Sequence, residues 1–152
     1  MKTITKQSDL GGILSLYLIP SHLISSISAE TVSLVIPDAL YEICCATDSI
    51  QHNSSISENK AGILYLQTIT AILPGTNIDG LATLHSLSYY KLVAILQSSS
   101  GYYYRIGNKS ESLKLSLDYF SGKETQDRNG YTFTLKGLIQ EIPRTVDLPV
   151  FS

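Results

Sequence analysis

The stretch over residues 91–137 constrains this chain more than any other. Leu113, Leu115, Leu117 and Tyr119 occupy every second position, with Ser112, Lys114, Ser116 and Asp118 between them. That two-residue period belongs to a strand with one dry and one wet face. It returns in Tyr131, Phe133 and Leu135 against Thr132, Thr134 and Lys136. Between the two runs lies SGKETQDRN, residues 121–129, followed by Gly130. This polar, charged segment has nothing to add to a core and reads as the loop of a long hairpin. Upstream, KLVAILQ at residues 91–97 is a continuous apolar run of the kind found in a strand buried on both faces, with a helix left open by periodicity alone. Turn sequences at residues 98–101 and at Gly107-Asn108 bracket a further strand from Tyr102 to Ile106. Four strands in succession predict an antiparallel meander.

The remainder of the chain reads mainly as strands. Residues 13–19 place Leu14, Leu16 and Leu18 on one face before Pro20 ends the run. Residues 23–27, 31–36 and 40–46 are further short β-favouring runs. ILYLQTITAIL at residues 63–73 is apolar on both alternating sets, which predicts a strand covered on both sides and stopped by Pro74-Gly75. One helix is expected, from Ile78 to Leu87, where Ile78, Leu81, Leu84 and Leu87 recur every third residue. Thr76 or Asn77 would cap it, and Asp79 meets its positive end. Residues 48–60, from Asp48 to Lys60, lose all periodicity and are expected to be a mobile loop. Residues 138–152, broken by Pro143 and Pro149, are expected to end as an extended C-terminal arm. The expected fold is a single mainly β domain over residues 1–152, a sandwich or partly closed barrel with one short helix.

Composition removes several function classes. A formal charge of −2 with both signs interspersed leaves no basic stripe for phosphate neutralisation, so no nucleic-acid role is expected. No stretch reaches the 18 or so uninterrupted apolar residues of a membrane-spanning helix. The apolar run after Lys2 and Lys6 is interrupted by Gly11-Gly12, Pro20 and His22, which makes it a poor secretory signal. Cys44 and Cys45 are neighbours and point to opposite faces of a strand, so they are not expected to pair. His22, His52 and His85 stand apart, without the spacing of a metal site. Asp127-x-Asn129-Gly130 resembles part of a calcium loop, but Leu135 stands where a late acidic ligand would be sought, so a turn is expected. The Ser-x-x-Lys quartets Ser88 to Lys91 and Ser57 to Lys60 lack partner motifs, and Gly122-Lys123 lacks the leading glycine of a phosphate loop. Asp118, Glu124, Asp127 and Glu141 have no spacing that demands an acid/base pair. No catalytic residue, cofactor site or metal site is assigned, and the chain is not expected to be an enzyme.

The order of elements over residues 62–137 resembles small proteins of phage and prophage structural modules of Bacteroidetes-type bacteria. Tyr65, Pro74, Gly101, Gly107, Gly122, Asp127, Asn129, Gly130 and Tyr131 carry the likeness, and nearly all are strand or turn markers. It covers about half the chain and supplies no functional residue. The resemblance implies a non-enzymatic virion or tail-associated protein, made in the bacterial cytoplasm and then carried in the virion, which acts by homo-oligomerisation or by docking on other virion proteins. The alternative is a secreted binding or adhesion module that uses tyrosine-rich strands, with ten tyrosines available.

Overall fold

The structure is a computed structural model that describes residues 12–27, 31–36, 39–43, 45, 49–59, 62–74, 78–120, 130–141, 144–146 and 150–151. In chain order these form β1 (Ile13–Pro20), a 3-10 turn (Ser21–Leu23), β2 (Ile24–Ile27), β3 (Val32–Leu34), β4 (Tyr41–Ile43), β5 (Gln51–Asn59) and β6 (Gly62–Pro74). Helix α1 (Ile78–Leu87) precedes β7 (Leu92–Ser98), β8 (Tyr103–Ile106), β9 (Lys114–Phe120), β10 (Gly130–Ile139), β11 (Arg144–Val146) and β12 (Val150–Phe151). The described residues are therefore mainly β with one short helix, as the periodicity predicts.

A five-stranded sheet, ordered β11-β8-β7-β1-β4, sits in the middle of the fold. A four-stranded sheet, β5-β6-β10-β9, packs on one of its faces, and a three-stranded sheet, β12-β3-β2, packs on the other. The division is written into β7 residue by residue. Leu92, Ala94 and Leu96 join the core shared with Ile69, Leu73, Phe133 and Leu135 of the four-stranded sheet. Val93 and Ile95 join the second core, with Ile24, Val32 and Leu34 of the small sheet. β1 divides in the same way, Leu16 and Leu18 to one side and Ile19 to the other. A strand with both faces covered has no use for polar residues, which is why Leu92, Val93, Ala94, Ile95 and Leu96 are all buried. Helix α1 sends Leu84 and Leu87 into the larger core.

Four expectations change. The meander over β7 to β10 divides into two hairpins in different sheets: β8 pairs with β7, whereas β9 pairs with β10. The one-sided alternation of β9 and β10 suits an outer sheet, while two-sided β7 belongs in the middle. Leu113 makes the crossing, exchanging backbone hydrogen bonds of 2.7 and 2.9 Å with Leu92. β6 is central in its sheet but covered on one side only: Gln67, Ile69, Ala71 and Leu73 are buried, while Leu64, Leu66, Thr68, Thr70 and Ile72 on the other face are half-buried. The expected loop at residues 48–60 contains strand β5, hydrogen-bonded along β6 from Gln51↔Thr70 to Asn59↔Gly62. In residues 138–152, Leu138 and Ile139 complete β10, β11 joins β8, and β12 runs parallel to β3. That segment is extended, but its described parts are docked strands and not a loose arm.

The crossing at Leu113 requires a glycine. A Cβ on Gly137 of β10 would stand 2.5 Å from the Ser112 carbonyl oxygen and 3.3 Å from Leu113 Cα, contacts with backbone that has little room to retreat. Gly137→Ala is expected to destabilise the fold by roughly 1–3 kcal/mol, read as a lower urea midpoint. Thr134→Ala on the same strand serves as the control and should change it by far less.

Tyr17 and Tyr103, with ring centroids 6.2 Å apart, pack against the second core. Burial, then the charge of Glu42, then Tyr103, push the Tyr17 phenol above its ordinary value of 10.0. Above that pH the unfolded chain releases a proton that the folded chain retains, so folding weakens as pH rises toward the folded value. Urea midpoints measured between pH 9 and 11 should fall less steeply for Tyr17→Phe than for the unaltered protein.

Candidate assembly surface

β5 is built from residues poor in strand preference: the nine-residue strand reads QHNSSISEN. Its partner supplies the order. β6 is 13 residues long and offers a continuous ladder, and Gly62, at φ +115°, begins β6 in a backbone conformation that side chains disfavour. β6 outruns its other neighbour, since pairing with β10 ends at Ile139↔Tyr65 while pairing with β5 continues to Gly62. The end of the hairpin is thus two strands wide. It carries apolar side chains into solvent: Ile56 is 68% and Ile63 53% exposed, with Leu138 at 49% on the opposite face nearby.

Among the described residues, nothing pairs with the outer edge of β5. The edge contains neither lysine nor proline, the residues that ordinarily discourage further pairing. The other edges differ. β4 and β11 span three residues each, β2 four and β12 two, too short for an independent ladder. β9 opens with exposed Lys114 directly opposite exposed Lys136, a like-charge pair, and runs on in sequence to the charged segment at 121–129.

On the inner face of the hairpin, His52 Nε2 donates to Gln67 Oε1 at 2.7 Å. Gln67 is fully buried, and its Nε2 has no hydrogen-bond partner. The contact ties β5 to the strand behind it.

Two other places bring polar groups together. Arg105, 4% exposed, donates to Glu141 Oε1 at 2.8 Å, and Asn108 Nδ2 donates to Glu141 Oε2 at 3.1 Å. Asn108 Oδ1 accepts from the backbone N–H groups of Ser110 and Glu111, and Glu111 Oε2 accepts from Gln140 N–H. The cluster fastens the β8–β9 connection to the end of β10, so both carboxylates serve structure. A groove of about 380 Å³ lies between α1 and the 3-10 turn, lined by His22, Tyr41, Thr83, Leu87 and Tyr90 among others. The His22 and Tyr90 rings lie 5.1 Å apart there.

Ser88 Oγ donates to the His85 carbonyl at 2.6 Å, closing the helix end, which gives the first Ser-x-x-Lys quartet a structural use. Gly122, Lys123, Glu124, Asp127, Asn129, Lys60 and Cys44 lie outside the described residues, and Gly130 is the first residue of β10. No group of three or more His, Cys, Asp or Glu able to hold a metal occurs among the described residues. No described helix is long and apolar enough to cross a membrane. Arg105 escaped the sequence reading, because a lone arginine in a tyrosine-rich strand gives no sign that it will be buried. No family model, no curated protein and no solved structure matches this chain.

Glu141→Gln leaves the buried Arg105 guanidinium with a neutral partner. It is expected to cost roughly 2 kcal/mol in denaturant unfolding. Adding Arg105→Met to that variant should recover part of the loss, since it removes the buried charge that the glutamine leaves uncompensated.

Proposed function

We propose that this protein is a non-enzymatic assembly subunit, of the tail-associated virion kind implied by its resemblance to phage and prophage structural modules, and that it works by pairing strand edges. One observation carries the reading: β5 offers a nine-residue edge without lysine or proline, beside an isoleucine 68% exposed. Such an edge is a template for another strand, with main-chain hydrogen bonds supplying affinity and exposed side chains supplying register. The acids of the Arg105 cluster are engaged in hydrogen bonds that hold the chain together.

A second reading, a secreted binding or adhesion module, draws on the aromatic groove between α1 and the 3-10 turn. Tyr41, Tyr90 and His22 there suit stacking against a flat neutral ligand. Loss of ligand binding in Tyr90→Ala, with assembly intact, would favour it.

Light scattering over a concentration series tests the main reading. The unaltered chain is expected to exceed its monomer mass of 16.6 kDa by roughly 100 μM, and Ile56→Lys to return to that mass. A chain that remains at the monomer mass throughout rules out self-assembly.

A further inference from the structure

We infer that the occupant of the β5 edge is a second copy of the same strand, antiparallel, with a two-fold axis passing through Ser55. The inference rests on the assembly reading above and gives it a partner and a register.

Parity limits the choices. In an antiparallel ladder, directly opposed residues either exchange hydrogen bonds with each other or do not, and these two classes alternate along each strand. A strand pairing with its own copy must oppose residues of the same class, so the axis passes through a residue and never between two. Within Gln51–Asn59 the only such axis that uses all nine residues runs through Ser55. It places Gln51 opposite Asn59, His52 opposite Glu58, Asn53 opposite Ser57, and Ser54 opposite Ile56 of the second copy.

The side chains agree with that register. His52, Ser54, Ile56 and Glu58 alternate onto the hairpin face that carries Ile69 and Gln67, as their partners in β6 show. The axis therefore brings each Glu58 carboxylate beside the other copy's His52, twice over. Histidine opposite glutamate is a polar cross-strand pair in which the imidazole can donate and the carboxylate accept. On β6, Ile69 and Ile63 beside them are apolar, and Gln67 Oε1 holds His52 Nε2 at 2.7 Å, so the other ring nitrogen is the one left to face the second copy. The two Ile56 side chains become diagonal neighbours across the axis, within reach of each other. The large apolar side chain of the edge, Ile56 at 68% exposed, is thereby brought to the centre of the contact. An axis moved to Ser54 or Ile56 shortens the ladder and separates His52 from Glu58. The two four-stranded sheets then join as one eight-stranded sheet, each contributing the order β5-β6-β10-β9 outward from the axis. This interface is closed, since it consumes the free β5 edge of both copies.

Cysteine cross-linking reads the register directly. Ser55 is exposed, so Ser55→Cys leaves the fold intact, and in the inferred pair its two copies face each other at the Cα separation a disulfide accepts. Mild oxidation of Ser55→Cys at roughly 100 μM should convert most of the chain to a covalent dimer. Asn53→Cys, whose two copies would lie four residues apart along the strand, should give less than about a tenth as much. The unaltered chain, which carries Cys44 and Cys45, sets the background. In light scattering, Glu58→Gln should raise the dissociation constant roughly fivefold, from the weakening of two cross-strand pairs. If the unaltered chain assembles but Ser55→Cys cross-links no better than Asn53→Cys, the inferred axis is wrong and the assembly reading stands. If the unaltered chain is monomeric at that concentration and Ser55→Cys stays unlinked, both fail.

Discussion

Everything in this fold follows from the two-sided burial of β7 and its neighbour β1. Leu92 to Leu96 are all buried, and a strand with five consecutive apolar residues leaves water only if something covers each face. One face takes the four-stranded sheet and helix α1, and the other takes the small sheet of β2, β3 and β12. The three-layer arrangement is the response to that demand. The C-terminal segment closes it: β11 extends the middle sheet along β8, and β12 extends the small sheet along β3. One short stretch of chain thus joins the edges of two layers.

The crossing from the middle layer to the outer one is the tightest point. Leu113 still pairs with Leu92, yet Leu115, two residues on, pairs with Leu135 in another sheet. The chain changes layers over Gly137, where hydrogen in place of a methyl group leaves room for the Ser112 carbonyl. The neighbouring connection is held by polar groups instead of apolar ones. Arg105 reaches Glu141, and Asn108 and Glu111 bind the loop back on itself and on Gln140. A charge this deeply buried is tolerable only because its carboxylate partner is in place, so the cluster secures geometry more than it adds stability.

Elements with strong periodicity were legible in the sequence, and elements defined by their partners were not. β9, β10 and α1 each carry an apolar period that fits one kind of structure, β7 a continuous apolar run whose flanking turns favour a strand, and all four form near their expected limits. Which strands pair was not legible, since the alternation in β9 tells that one face is dry without telling against which sheet. β5 is the sharpest case. Its run of serine and asparagine favours turns and loops when taken alone, and it is a strand because β6 has a long edge to fill. The candidate surface was hidden for the same reason. Ile56 lies in the segment expected to be a loop, and only the pairing with β6 turns it into a side chain presented on an edge.

The composition of β5 also bears on the kind of contact such an edge makes. A long, flat, apolar edge is an aggregation hazard, because it adds strands of any register and does not let go. β5 has one large apolar residue among nine, so a misaligned partner gains backbone hydrogen bonds and little else, and each such bond contributes only about 1 kcal/mol net against water. Register then depends on the few side chains that are distinctive, Ile56, His52 and Glu58. A partner that does not meet them binds weakly and leaves. The serines and asparagines that obscure the strand in the sequence are therefore compatible with its proposed use: they keep the edge soluble when it is unpaired, and they leave specificity to a small number of positions. An edge of this composition suits a subunit that has to remain separate until it meets the right surface.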